Sequence, residues 1–329
     1  METLGYTVNF ETISKEDLNL KLKHFYAETK PKNPEKRATK MTDQHASVYH
    51  KNTLKNVRSA LSRHLRDLNR NIDIVRDSEF RESNKMLDST LKMMVRTGLS
   101  RPTQHKEIIE MDDLKKISDY IYQESSTPVI LRLRVWYALA IHFVSRGLEF
   151  HQQLSLNSFD FCRDSEGDEY AVINHETQQK NVQGGVTSDE APTDKHMFAM
   201  PGSKTCPVSS LRLFIQKTES GAKSLFNRCV KDIMITSNVE SVETWYMDQP
   251  LTKRTYSTFM GDICKNSKCS KVYTAHCLRA TAIQAMNDAG HELRHIMFMT
   301  GHKSESSIRS YNRHCSESKR NPCLLRYPE

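Results

Sequence analysis

Residues 274–302 read TAHCLRATAIQAMNDAGHELRHIMFMTGH, and the fold follows from how this stretch is parsed. Leu278, Ala282, Ala285, Met286 and Ala289 recur at helical spacing, so they form the apolar face of an α-helix that Gly290 closes. His276 and Arg279, three residues apart, project together from another face of that helix. A second, short helix carries Leu293, Ile296 and Met297 and stops at Gly301, a residue suited to a left-handed helix end, which leaves His302 in the turn. A third helix, capped by Ser304, carries Tyr311. Three helix ends therefore predict one meeting point for His276, Arg279, His302 and Tyr311.

Upstream, residues 111–123 and 129–150 read as helices, and the second is too apolar for a surface element, with Leu131, Val135, Leu139, His142 and Phe143 along one side. Arg146 emerges near its end, and a guanidinium leaving an apolar helix calls for an anionic partner: Glu149, another acid or a phosphate. Beyond Leu156 the period changes to two. Residues 159–161 and 170–173, separated by Asp164-Ser165-Glu166-Gly167-Asp168, predict a hairpin, with a third short strand over 178–185. Residues 186–205 read as loop, and 207–217 and 251–266 as helices, the last with Thr252 as its cap.

The amino-terminal part is organised differently. Residues 1–40 combine a short helical pattern at 18–26 with Lys30-Pro31-Lys32-Asn33-Pro34, a basic arm or linker that suits either nuclear import or plain solvation. Leu54, Val57, Leu61, Leu65 and Leu68 then make one stripe of a helix whose other faces carry Lys51, Lys55, Arg58, Arg63, Arg66 and Arg70. Docked by its leucines, such a helix can lie along a DNA backbone, where each neutralised phosphate releases counterions. Further helix is expected over 78–90 and 92–96 before residues 98–102, from Gly98 to Pro102, break the pattern. The expected division is an arm at 1–40, a helical domain over 15–100 and a second domain over 105–329.

Composition limits the function classes. In 329 residues, 37 % apolar and 27 % charged side chains exclude general disorder and a membrane protein, while 48 Lys+Arg against 40 Asp+Glu leave a net charge of +8 that suits a polyanionic partner. Residues 1–20 lack the apolar core of a signal peptide, and the longest uncharged apolar run, 135–145, is far shorter than the ~20 residues of a spanning helix. No membrane association is expected. Eight scattered cysteines without a CxxC read as reduced thiols of an intracellular chain. Cys264, Cys269 and His276 make an irregular set of zinc ligands without a fourth partner, so no metal or other cofactor is expected.

Taken together, Arg146, His276-Cys277-Leu278-Arg279, Gly301-His302 twenty-six residues after the first histidine, and Tyr311 nine further on resemble the Arg…His-x-x-Arg…His…Tyr signature of the tyrosine recombinase family. The resemblance extends over most of the chain, since the basic helical part looks like that family's core-binding domain. Residues 56–65, with their Arg-Ser-Ala-Leu-Ser-Arg-His-Leu, and 180–185, Lys-Asn-Val-Gln-Gly-Gly, look in addition like the eukaryotic Crypton-type recombinases, which are transposable elements, and their domesticated host relatives.

The resemblance implies a mainly α fold with a small antiparallel β-sheet, whose two domains close as a clamp around double-stranded DNA. It implies strand exchange without a metal. Tyr311 would attack the scissile phosphate and His276 would take its proton. Arg146 and Arg279 would grip the non-bridging oxygens, with a hydrogen bond from His302. Lys180, with Lys195 and Lys204 as alternatives, would protonate the leaving 5′-oxygen. A homo-tetramer at paired sites and a nuclear location are implied by the same resemblance. The rival readings are a catalytically silent DNA-binding relative and a type IB topoisomerase.

Overall fold

The computed structural model describes residues 8–34, 44–101, 106–123, 127–145, 148–177, 195–231, 233, 239–302 and 304–309. Among them the chain is mainly helical, with two small antiparallel sheets, and it divides into two compact units, Met1–Gln104 and His105–Glu329.

In the first unit, α1 (Lys15–Glu28), α2 (Lys51–Asp67) and α3 (Arg81–Arg96) close on Leu18, Leu22, Tyr26, Leu54, Leu65, Phe80 and Leu87. Ser14 starts α1 by accepting the Asp17 N–H at 3.0 Å, and His50 Nδ1 starts α2 by accepting the Asn52 N–H at 3.1 Å. The leucine stripe of α2 turns inward at Leu54 and Leu65 and packs at its margin through Leu61. The helix ends where Asn69 adopts a left-handed conformation, φ 54°, and the Arg70 N–H returns to the Leu65 carbonyl at 2.9 Å.

The second unit is built around α5 (Pro128–His142), which follows α4 (Met111–Ile121). Thr127 Oγ1 accepts the Ile130 N–H at 3.3 Å and Pro128 occupies the first turn, where its missing N–H matters least. Leu131, Leu133, Val135, Trp136, Leu139 and Ala140 are all buried, so α5 is apolar around its circumference, as a central helix must be. After the single turn α6 (Glu149–Gln152) come β1 (Phe159–Arg163), β2 (Glu169–Ile173) and β3 (Met197–Phe198), paired in that order. Then follow α7 (Pro207–Gln216), the pair β4 (Asn227–Cys229) and β5 (Tyr246–Pro250), α8 (Lys253–Asn266), α9 (Ala275–Asp288), α10 (Leu293–Thr300) and α11 (Glu305–Arg309). Helices α4, α7 and α9 pack against α5.

The expected hairpin forms, with Phe159 opposite Ile173 and Phe161 opposite Ala171. Its third strand is Met197–Phe198, inside the stretch expected as loop, while the strand expected over 178–185 lies outside the described residues. The pair β4 and β5 was not expected, because three- and five-residue strands are too short to display a period. The helix expected over 129–150 is broken. Val144 takes φ 47°, its N–H bonds the Ile141 carbonyl at 3.3 Å, and the Ser145 N–H bonds the Ala140 carbonyl at 3.3 Å. This is the bonding of a left-handed helix end, a place usually held by glycine. A left-handed residue with a Cβ costs roughly 1–2 kcal/mol. Burial of the Val144 side chain with Ala282, Ile283, Ile296 and Ile308 offsets it.

No helix among the described residues is long and apolar enough to cross a membrane.

His151, on α6, is enclosed by rings, with centroids at 5.6 Å from Trp136, 5.1 Å from Phe150, 5.9 Å from Phe226 and 6.5 Å from Tyr256. Neither ring nitrogen makes a well-formed hydrogen bond, and burial pushes its pKa down to about 3, against only weak support from the Trp136 backbone. The unfolded chain, with an ordinary histidine near ~6.5, binds that proton more readily at intermediate pH. Stability is therefore complete above that value and falls as pH drops toward 3. Urea unfolding at pH 7.5 and pH 5 is expected to show His151→Leu losing about 2 kcal/mol less than the native protein over this interval.

Candidate active site

Arg279 lies in the second turn of α9 and is 1 % exposed. Its Nη1 donates to the Val144 carbonyl, just beyond α5, and its Nη2 donates to the Thr300 carbonyl, the last of α10. Terminal carbonyls of helices lack partners within the helix, and a planar guanidinium offers paired donors in a fixed fork. One side chain thus fastens the ends of two other helices to α9.

Thr300 extends the arrangement to His302. Its hydroxyl donates to the Ile296 carbonyl at 2.6 Å and meets His302 Nδ1 at 2.6 Å. With that proton directed at Ile296, the oxygen accepts from Nδ1–H, so the neutral ring carries no proton on Nε2 and becomes a donor there only as the imidazolium. Gly301, at φ 64°, makes the turn that puts His302 under the end of α10, where its N–H returns to the Met297 carbonyl at 3.2 Å. His302 is 6 % exposed, whereas His276, in the first turn of α9, is half-buried.

Lys195 belongs to the same neighbourhood. It precedes β3, is 6 % exposed, and is held at about 8, below the ordinary lysine range, first by burial and then by the positive charge of Arg279. Among the expected residues, then, the described chain brings together Arg279, His302 and Lys195. Arg146, Lys180 and Tyr311 lie outside the described residues. Val144 stands two residues before Arg146 in sequence, and Ile308, packed against the same small cluster, stands three before Tyr311. Lys204 is exposed and lines a different pocket, with Arg134.

The start of α9 is held by Asp113, which sequence reasoning did not single out. Asp113 accepts the Ser270 N–H at 3.0 and 3.1 Å, the Ser270 hydroxyl at 2.6 Å, the Tyr273 hydroxyl at 3.0 Å and Lys116 Nζ at 3.0 Å. These bonds, that from the Ser270 hydroxyl foremost, hold its carboxyl well below the usual range against the effect of burial. Tyr273 Oη also accepts the Glu110 N–H at 3.3 Å, and Thr281 Oγ1 accepts the Ile109 N–H at 2.9 Å. Residues 109–113 thereby brace the turn that delivers His276. In sequence Asp113 looks like any first-turn acid, and Thr300 and Val144 meet Arg279 through main-chain carbonyls that carry no residue-type signal.

The basic face of α2 is only partly as expected. Lys55, Arg63 and Arg66 are exposed and Lys51 is half-buried, but Arg58 Nη1 donates to Asn84 Oδ1 at 2.9 Å inside its unit. Arg70 is turned off the helical face by the left-handed Asn69. Its guanidinium closes residues 10–13 through the carbonyls of Phe10 at 2.9 Å, Glu11 at 2.6 Å and Ile13 at 2.7 Å. Arg70 therefore has a structural role within its unit. No group of three His, Cys, Asp or Glu residues able to hold a metal ion occurs among the described residues, Cys264, Cys269 and His276 included.

Residues 206–318 match the model of the phage integrase family, about a third of the chain, which includes His276, Arg279, His302 and Tyr311 but not Arg146, Lys180 or Lys195. None of the curated proteins compared matches the sequence. Among solved structures the chain is similar to the XerA recombinase, at 15 % identity over 98 % of this chain and 86 % of that one, with a TM-score of 0.39. It is also similar to the Tn1549 transposon integrase in complex with transposon right end DNA, at 11 % identity over 97 % and 87 %, with a TM-score of 0.48. The XerH site-specific recombinase bound to difH substrate, at 16 % identity over 96 % and 79 %, has a TM-score of 0.41.

Arg279→Lys keeps the charge but not the fork, so one of the two carbonyls loses its donor. Equilibrium urea unfolding is expected to show a loss of roughly 2–3 kcal/mol. An unchanged midpoint would mean that the guanidinium does not fasten the helix ends.

Proposed function

We propose that the protein cuts and rejoins strands of double-stranded DNA through a covalent 3′-phosphotyrosyl intermediate. The observation that carries this reading is the convergence of Arg279, His302 and Lys195 from α9, the end of α10 and the approach to β3, with the match of residues 206–318 to the phage integrase family behind it. In the proposed step the Tyr311 oxygen attacks phosphorus and the bond from phosphorus to the 5′-oxygen breaks. His276 takes the phenolic proton, since a phenol near pKa ~10 is a weak nucleophile at neutral pH. Arg146 and Arg279 meet the charge on the non-bridging oxygens, with His302 donating from Nε2 as the imidazolium. Attack of a second 5′-hydroxyl on the phosphotyrosyl bond reverses the step and releases the tyrosine.

The leaving 5′-oxygen needs a proton, and we assign its donor to Lys195 rather than Lys180 or Lys204. An ammonium held at about 8 is a better acid near neutrality than one at the ordinary value. Its charge is lost as pH rises through that value, so strand cleavage should fall off on the alkaline side. Pairing of two sites by a homo-tetramer, and action in the nucleus, belong to the same reading.

A specific observation favours a second reading, a DNA-binding protein that does not cleave: Arg279 is almost fully enclosed and occupied by two carbonyls. The two readings separate on a nicked suicide duplex, chosen by selection from a random library and incubated with the full chain in the presence of a chelator. The catalytic reading expects a denaturation-resistant adduct that Tyr311→Phe abolishes while duplex binding persists. Sequence-specific binding with no adduct favours the silent relative. For Lys195, Lys195→Ala should slow cleavage by about 10²–10⁴-fold. A substrate with sulfur at the 5′-bridging position, whose thiolate leaves without a proton, should restore the rate. Failure of that rescue moves the acid elsewhere.

A further inference from the structure

We propose that the pocket between the end of α4 and the start of α7 is a binding site for a phosphate-sized oxyanion, separate from the candidate active site. The pocket has a volume of about 370 Å³ and is lined by Tyr122, Gln123, Arg134 and Lys204. Arg134 projects from the middle of α5 and is 8 % exposed. Its Nε donates to the Ile121 carbonyl at 2.7 Å and its Nη2 reaches the Gln123 carbonyl at 3.5 Å, while the guanidinium lies over the Tyr122 ring at 5.2 Å. Every one of these partners is neutral. A cation this deeply buried is ordinarily matched by an anion, and among the described residues no carboxylate is within ion-pair distance of it. The two carbonyls and the ring fix the plane of the guanidinium but leave Nη1 without a hydrogen-bond partner among the described residues. Arg134, with Nη1 not engaged by the described residues, and Lys204 on the wall line this pocket with two cationic side chains, a donor set suited in kind to a tetrahedral oxyanion. Ten residues, about 15 Å of helix, separate Arg134 from Val144, so the pocket does not share the phosphate seat proposed around Arg279.

The oxyanion has two sources, a phosphate of a DNA backbone or free phosphate and phosphomonoesters. The full-length protein is melted in rising inorganic phosphate at fixed ionic strength, balanced with chloride. A saturable rise in Tm of about 5 °C at a hundred-fold excess over Kd is expected. Arg134→Met fills the same space without the charge, and Lys204→Glu reverses a charge at the rim; each should abolish the rise. The surface variant keeps the test decisive if the core variant does not fold. No rise in the native protein, or a rise that survives Lys204→Glu and any folded Arg134→Met, overturns the proposal, the latter by locating phosphate elsewhere. Duplex titrations identify the source: both variants weaken DNA binding several-fold if a backbone phosphate fills the pocket. Loss of phosphate stabilisation with unchanged duplex affinity makes free phosphate or a phosphomonoester the ligand. None of these readouts involves Tyr311, so failure here leaves the cleavage reading intact, and the reverse.

Discussion

A single buried guanidinium, that of Arg279, sets the geometry on which the candidate site depends. It sits where α5 and α10 end against α9, and its two donors go to carbonyls that no helix can satisfy. The apolar residues packed at these ends, Val144, Ala282, Ile283, Ile296 and Ile308, keep water away, which strengthens the bonds and raises the penalty for leaving any of them unmade. Because the partners come from positions 144, 279 and 300, the arrangement exists only once the chain has folded. Val144 shows how far the constraint reaches. A β-branched residue is held in a left-handed conformation at the point from which its carbonyl meets Arg279, two residues before Arg146.

Three buried charges lie around α9, and each is accommodated differently. Asp113 gathers donors from Ser270, Tyr273 and Lys116 and remains ionised, bracing the start of the helix. Arg279 is matched by carbonyl dipoles and remains charged because a guanidinium does not readily lose its proton. Lys195 has the Arg279 cation as its neighbour, and its proton becomes easier to lose. The first two make α9 rigid, and the third makes the site responsive to pH.

Much of this was legible in the sequence because it rests on residue types with few alternatives. Gly290 and Gly301 do take left-handed conformations, φ 82° and 64°, and the helices they close are where the apolar spacing puts them. The break after α5 was not legible, since the residue in the glycine position is a valine whose cost is offset by tertiary packing. The structural bonds of Arg70 were not legible either, because one left-handed asparagine removes it from the helical face that the spacing implies. Along the chain the resemblance favoured Lys180, with Lys195 and Lys204 as alternatives. What distinguishes Lys195 is burial beside a cation 84 positions away, which no local pattern encodes.

In the proposed reaction, the state of Lys195 bears directly on the order of events. Burial and the Arg279 charge both act against its proton, so the ammonium is at its least stable with no anion beside it. Under the proposed function, a phosphodiester seated beside Arg279 would offset part of that positive charge, and the proton would then be held more firmly while substrate is bound. In the proposed cleavage step, negative charge would develop on the 5′-oxygen as its bond to phosphorus breaks, and an ammonium in a poorly hydrated site would give up its proton to it more readily than one in water. The same burial that disfavours the cation before binding would therefore assist its discharge at the one stage of the proposed reaction that requires a proton.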